Sequence, residues 1–215
     1  RQRLVMAELA CRIGDPGLRA LAIRRLVSHA GDAWIARSAR AADVLAALPA
    51  PAQAVRRLVR LARRQPSRQR ERSLDAAEAR VHAVPDPGRR VLAAVDLVLA
   101  SPLRLRWFFA DVLPAADEDI RIAALTRLLA EGDDADFADT LACASQGLAA
   151  HRLWPLLRNA AGRRPFGPAA CAALLERAAA TACGAARGTL LTLAVAGLEA
   201  EGAGDAAWAV AAGIE

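Results

Sequence analysis

The chain has 215 residues, 55% of them hydrophobic but only 4% aromatic, and its 29 basic residues exceed its 23 acidic residues to give a net charge of +6. Alanine and leucine, the strongest helix formers, dominate, which favours an all-α protein over a β-rich one. No apolar run reaches the roughly 18–20 residues of a membrane span and no secretory signal is visible, so a cytoplasmic location is expected.

Helices are predicted wherever apolar residues recur at helical spacing between proline and glycine breaks. In chain order they cover residues 2–14, 17–30, 33–48, 52–65, 68–84, 88–100, 103–113, 118–131, 135–148, 150–161, 168–182, 185–200 and 204–212. The sequence shows no clear domain boundary, and we expect one helical repeat domain over residues 1–215. Residues 65–73 are the best candidate for a flexible joint. The start at Arg1 leaves open whether residues precede it, and the same holds after Glu215.

One motif recurs along the chain. It is seen as DPGLRALAIRRLV from Asp15, DPGRRVLAAVDLV from Asp86, DEDIRIAALTRLL from Asp117 and CGAARGTLLTLAV from Cys183. Weaker copies begin near residues 48 and 149, so that successive copies lie about 31 to 38 residues apart. A period in the thirties, with two helices in each unit, is typical of an α-solenoid.

The first and fifth positions of the motif have a physical role. An aspartate at a helix start accepts hydrogen bonds from the first unpaired N–H groups and complements the helix dipole. An arginine four residues later, as at Arg19, Arg90, Arg121 and Arg187, can pair with that acid or with the equivalent acid of the next copy. The motif therefore predicts capped helices and a polar ladder along the stack.

The motif, followed by Gly-Asp, resembles the HEAT-like repeats of phycobilisome-lyase-type and armadillo-like proteins, most closely over residues 117–141 and also over 15–34 and 86–113. The resemblance implies a right-handed superhelix of about six helix pairs, whose second helices line a concave binding surface. It specifies a fold and not an activity. The tryptophan, glycine and tyrosine positions of tetratricopeptide repeats are not met.

Charge is distributed unevenly. Residues 1–110 carry 21 arginines against 9 acids, and residues 111–215 carry 8 arginines against 14 acids. Such a dipole can steer an anionic partner or set head-to-tail contacts between copies, although a lopsided solvated surface is an equal alternative. Lysine is absent, which reflects either codon bias in a GC-rich genome or a need for guanidinium groups.

A run of arginines is the main candidate binding site. It comprises Arg56, Arg57, Arg60, Arg63, Arg64, Arg68, Arg70 and Arg72, with Glu71 as the only acid in the run. In the helix 52–65 the apolar residues form one face, and most of the arginines project from the other. Three interpretations are open: a solvated face, a contact for an acidic protein, or a phosphate-binding ridge for nucleic acid. No aromatic residue interleaves the run, so base stacking is not supported.

Trp107 and Asp111, one helical turn apart, form a second candidate. Their spacing resembles that of HEAT-like DNA alkylation-repeat glycosylases, which implies an alkylated-base site with a later arginine, here Arg152 or Arg158. The favoured alternative is a core tryptophan followed by an acid in the last turn.

No metal or cofactor is expected. The three histidines, His29, His82 and His151, are isolated and lack metal-ligand spacing. The four cysteines form no C-x-x-C pair and are expected to be reduced thiols that pack as small apolar residues.

Together these patterns predict a non-catalytic scaffold that binds an acidic protein or peptide on the concave face of the solenoid. The alternative is a nucleic-acid-binding HEAT-like protein, in particular a DNA glycosylase that uses Trp107 and Asp111. A lyase or maturation factor of the phycobilin type is a third interpretation, for which only the generic repeat speaks.

Overall fold

The computed structural model describes residues 6, 9–29, 41–147, 150–181 and 184–212, and this part of the chain contains helices and no β-strand. The all-α prediction is therefore confirmed. The chain divides into two compact units, residues 1–116 and 117–215. The prediction of a single repeat domain stays a prediction.

Besides residues 9–12, which are also helical, the described part of the first unit contains five regular helices and one irregular one. They are α1 (Pro16–His29), α2 (Ala41–Ala46), α3 (Pro51–Ala62), α4 (Ser67–His82), α5 (Pro87–Val98) and a mixed helix over residues 102–115. In the second unit are α6 (Glu118–Glu131), a 3-10 turn (Asp134–Asp136), α7 (Phe137–Gly147), α8 (Ala150–Ala161), α9 (Pro168–Ala179), α10 (Ala185–Ala200) and α11 (Gly204–Ala211). Of the predicted helix 33–48, residues 33–40 lie outside the described part.

The mixed helix departs from the regular helix predicted at 103–113. It runs from a 3-10 turn (Pro102–Arg104) through Leu105–Trp107 into a π turn (Phe108–Val112) and a final 3-10 turn (Leu113–Ala115). Pro114 lacks an N–H group, and in a regular α-helix its ring would collide with the carbonyl four residues earlier. The π turn directly before the proline, closed by a hydrogen bond from Leu113 N–H to Phe108 O, widens the helix at that point.

Three aspartates cap their helices as the motif predicts. Asp15, Asp86 and Asp117 each accept a hydrogen bond from the backbone N–H three residues later, at 2.7, 2.7 and 2.9 Å. Two of the motif arginines bind the backbone instead of an acid. Arg90 donates to the carbonyls of Val84 and Pro85, and Arg19 donates to the carbonyl of Gly14 at 3.5 Å, in each case just before its own helix. Backbone carbonyls thus take the place of the expected acid.

Within each unit, the first helices of successive pairs pack on one another, and so do the second helices. In the first unit, α3 contacts α4 and also α5, the first helix of the following pair, while α2 contacts α4. In the second unit the first helices α6, α8 and α10 contact in succession, and the second helices α7 and α9 contact each other. Small residues at the middle of the motif, such as Ala94 and Ala124, are fully buried at these contacts.

Helix α10 approaches the start of α9 closely at Gly197. A Cβ atom at this position would lie 2.5 Å from Cys171 Sγ and 2.7 Å from the Phe166 carbonyl oxygen. Because one of these atoms belongs to the backbone, no side-chain rotation could make room for it. The absence of a side chain is what allows α10 to lie against the start of α9.

Polar contacts between successive pairs share one sequence separation. The hydrogen bonds that join one pair to the next link residues 26 to 36 positions apart. This range overlaps the spacing between motif copies, as expected when each helix pair touches only the neighbouring pairs. The period that is visible in the apolar pattern is therefore also present in the side-chain hydrogen bonds.

Candidate protein-interaction surface on helix α3

Helix α3 separates its residues into a buried apolar side and an exposed cationic side. Val55 and Leu58 are completely buried, as are their apolar neighbours on the same side. Arg56 and Arg60 are exposed on the other side, and so is Arg63, the C-cap residue that directly follows the helix; we call these three residues the arginine face. The predicted amphipathic arrangement of this helix is confirmed. Arg57 is half-buried beside the arginine face, and Arg64 is exposed.

The arginine face has few partners of its own. Helix α3 contains no acidic residue. Across the described residues, the side chains of Arg57, Arg60, Arg63 and Arg68 make no hydrogen bond or ion pair, and Arg56 Nε donates only to Ala52 O of its own helix, at 3.5 Å. The seven-residue span from Arg56 to Arg63 corresponds to about 10.5 Å along the axis at 1.5 Å per residue. Three positive charges therefore face solvent in one short row.

The C-terminal part of the predicted run is used inside the fold. Arg70 donates to the carbonyl oxygen of Ala100 at 2.6 Å, and Arg72 forms an ion pair with Asp43 at 3.0 Å. One contact reaches the following helix pair and the other reaches the preceding pair. The eight arginines are therefore not one surface, and the part that is turned to solvent lies mainly on α3.

The arginine face does not lie on the second helices, which are predicted to line the concave binding surface. Helix α3 is the first helix of its pair and packs on α5, another first helix. The resemblance to HEAT-like repeats assigns binding to the second helices. The arginine face therefore belongs to a helix that packs on α5, and not to the second helices to which the resemblance assigns binding.

Trp107 and Asp111 lie on the mixed helix, across the start of the π turn. The Trp107 ring is half-buried and meets the His82 ring edge-on, with centroids 5.6 Å apart and planes at 71°. Asp111 is exposed. Of the arginines that the glycosylase resemblance would require, Arg152 has its Nε atom 4.0 Å from Glu118 Oε1. Part of the tryptophan surface is therefore already covered by His82.

Sequence analysis missed a cluster built around Arg104. This side chain is only 10% exposed, and its guanidinium group donates to Glu78 at 2.9 Å, to Asp75 at 2.5 Å and, more distantly, to Glu71 at 3.5 Å. Ser101 Oγ accepts a further bond at 2.8 Å. The three acids are spaced i, i+4 and i+7 on α4, a pattern that puts them on one helix face and could have indicated a common cation.

The second unit carries a small acidic surface. Within the stretch 131–139, Glu131 pairs with Arg127 at 3.1 Å, and Asp134 accepts hydrogen bonds from the first two free N–H groups of α9, at 2.6 and 3.1 Å. The remaining acids Asp133, Asp136 and Asp139, which we call the aspartate face, form no hydrogen bond or ion pair through their side chains with any described residue.

The members of the aspartate face repel one another. Partial burial raises the pKa of Asp136 above its ordinary value, and the neighbouring charges of Asp133 and Asp139 raise it further. In the described part of the chain these carboxylates do not converge into a group that could hold a metal ion. These three carboxylates are therefore unpaired within the described residues, although Arg164 donates to the carbonyl oxygen of Gly132, the residue before Asp133.

The cysteines pack as predicted where they are described. Cys171 is buried with Sγ 3.5 Å from Phe166 O, and Cys143 is half-buried. Burial raises the pKa of both thiols, so the thiolate form is disfavoured. Cys183 lies outside the described residues.

Comparison of the chain with protein-family models, with curated proteins and with solved structures gives no match. Among the helices of the described residues, none has both the length and the apolar character needed to cross a bilayer.

Proposed function

We propose that this protein is a non-catalytic interaction scaffold of stacked HEAT-like helix pairs, and that it binds an acidic protein segment through the arginine face of α3. The observation that carries the proposal is the row Arg56, Arg60 and Arg63, exposed above a fully buried apolar side, on a helix without acidic residues. A guanidinium group that the fold does not use can form bidentate bonds with carboxylates of another molecule.

The spacing of the row favours a helical partner. Positions i, i+4 and i+7 lie on one side of a helix, and a second helix with acids at the same spacing presents its carboxylates along a line of equal length. The chain contains such an arrangement in Glu71, Asp75 and Glu78, where α4 holds Arg104. The proposal applies the same chemistry to a contact between molecules.

The test is binding of a fluorescein-labelled helical peptide with glutamates at i, i+4 and i+7, followed by fluorescence anisotropy at about 50 mM salt. Reversal of two charges in R60E/R63E is expected to lower the affinity at least about tenfold, because each charge pair that contributes attraction becomes repulsive. The matched control is R89E/R106E, which changes the net charge equally at two exposed arginines outside α3. Equal affinity of the two variants would refute the proposed site.

The nucleic-acid alternative is tested in the same assay with a labelled DNA duplex. A duplex-binding protein would bind more tightly than the peptide does and would lose affinity steeply between about 50 and 200 mM salt. A glycosylase would in addition release an alkylated base and lose this activity in Asp111→Asn. The exposed position of Asp111 and the engagement of Trp107 by His82 favour the scaffold.

A further inference from the structure

The arginine face and the aspartate face are complementary in charge and similar in length. The aspartate face covers seven residues, and therefore six steps along the chain, from Asp133 to Asp139, along a 3-10 turn and the start of α7. At 2.0 Å per residue for a 3-10 turn and 1.5 Å for an α-helix, this span is about 9–12 Å, close to the roughly 10.5 Å of the arginine face. Each row carries three formal charges, and within the described residues neither row is neutralised by ion pairs.

The surroundings of the aspartate face leave room for long side chains. The residues that alternate with its acids, Ala135 and Ala138, are exposed alanines, and Ala142 continues the same strip one turn later. No bulky residue stands between the carboxylates, so guanidinium groups from another molecule can reach them. Arginine is the side chain best suited to such a contact, because its planar donors match a carboxylate and its stem packs on methyl groups.

Charge balance in each unit points the same way. Residues 1–116 carry 21 arginines against 10 acids, and residues 117–215 carry 8 arginines against 13 acids. Two copies of the chain therefore attract when the first unit of one approaches the second unit of the other, and repel when like units meet. The favoured approach pairs the unit that carries the arginine face with the unit that carries the aspartate face.

From these observations we infer that the acidic partner of the arginine face is a second copy of this chain, which presents Asp133, Asp136 and Asp139. This inference rests on the proposed function and names its partner. The two faces consist of different residues, so the contact is heterologous. Copies joined in this way can add head to tail into chains or closed rings.

The test is sedimentation velocity of the full chain, freed of nucleic acid, at about 20 mM and about 500 mM salt. The expected result is a sedimentation coefficient that rises with protein concentration at low salt and a single monomer at high salt, because screening reduces attraction between exposed charges. A chain that remains monomeric at both salt concentrations would overturn the inference.

Charge reversal identifies the faces. R60E/R63E and D133R/D139R are each expected to be monomeric at low salt, while the control R89E/R106E associates like the original chain. An equimolar mixture of the two monomeric variants is expected to associate again, because each supplies the face that the other has lost. Restoration also shows that both variants are folded. A mixture that stays monomeric, or a control that behaves like R60E/R63E, would exclude pairing of these two faces.

The glutamate peptide distinguishes failure of this inference from failure of the proposed function. If the chain is monomeric at low salt but binds the peptide through Arg60 and Arg63, the arginine face is a binding site and its partner is not a second copy. If neither binding nor association occurs, both proposals fail. If both occur, excess peptide is expected to dissociate the assembled chain, since the two compete for one face.

Discussion

Replacement of Arg104 by methionine is expected to destabilise the first unit more than any other exchange of a charged residue considered in this protein. Methionine keeps the length and the apolar contacts of the arginine stem but removes every donor. Four acceptors, Ser101 Oγ and one carboxylate oxygen each of Glu71, Asp75 and Glu78, lose their common partner. The contact joins the mixed helix to α4, so its loss weakens the junction of two helix pairs.

The magnitude follows from how exposed each partner is. Glu78 is 33% exposed and bonds at 2.9 Å, so solvent screening reduces the cost of its loss to about 1 kcal/mol, below the roughly 1.5 kcal/mol at which the range for charged hydrogen bonds begins. Asp75 is 71% exposed and Glu71 is 54% exposed, and such pairs contribute at most about 0.5 kcal/mol each. Renewed repulsion among acids spaced i, i+4 and i+7 adds about 0.5 kcal/mol. The sum is about 2 kcal/mol.

The assay is urea unfolding followed by circular dichroism at 222 nm. A loss of about 2 kcal/mol lowers the midpoint by roughly 1 M when the slope is about 2 kcal/mol per M. Arg106→Met is the matched control, because Arg106 lies on the same mixed helix but is exposed, and it should change stability by less than about 0.5 kcal/mol. Introducing Glu78→Gln into the Arg104→Met background should recover part of the loss. Equal midpoints for the two methionine variants would refute the reasoning.

Three further predictions concern the second unit. Gly197→Ala should cost at least about 2 kcal/mol in urea unfolding through the clash with backbone, whereas Gly188→Ala on the same helix, with nothing within 4 Å of the added Cβ, should be stabilising. Asp134→Ala should cost about 1–2 kcal/mol through loss of the α9 cap, and Asp133→Ala, which removes no hydrogen bond, should not. Because the pKa of Asp136 is raised in the folded state, its charge opposes folding at neutral pH and ceases to do so as pH falls below the ordinary value of 3.8. Asp136→Asn should therefore raise the melting temperature by about 1 °C at pH 7 and leave it unchanged at about pH 3, and a difference that grows towards acid pH would contradict this.

Features that depend on a few neighbouring residues could be predicted from the sequence. The predicted helix 118–131 matches α6 at both ends, because Asp117 marks its start as a cap and Gly132 follows its end. The apolar periodicity of α3 likewise predicts that its arginines project from the side opposite to the buried apolar residues. The mixed helix could not be predicted in detail, because Pro114 indicates that a regular helix ends or is distorted near it but not which kind of turn comes before it.

Contacts between helix pairs could not be predicted, because they depend on how neighbouring pairs are offset along their axes. A shift of one residue would move Arg70 away from Ala100 and towards solvent. The sequence separation of such contacts follows from the repeat period, but the choice of donor does not. For this reason the eight arginines of the predicted run were grouped together, although Arg70 and Arg72 hold neighbouring pairs and Arg60 and Arg63 do not.

Several arginines that are used inside the fold share one role, which is to donate hydrogen bonds to carbonyl groups at the ends of helices. Arg70, Arg80 and Arg164 each donate to a backbone carbonyl one or two residues beyond the end of a helix, at Ala100, Leu48 and Gly132. The last carbonyls of a helix lack intrahelical partners and carry the negative end of its dipole, so a cation with several donors suits them. Structural use of this kind explains why these three arginines are present. Arg60 and Arg63 lie at the C-terminal end of α3, where their charge suits the helix dipole, whereas Arg56 lies further into the helix, and all three are exposed. The proposed contact with another molecule gives these exposed guanidinium groups a use that the fold does not.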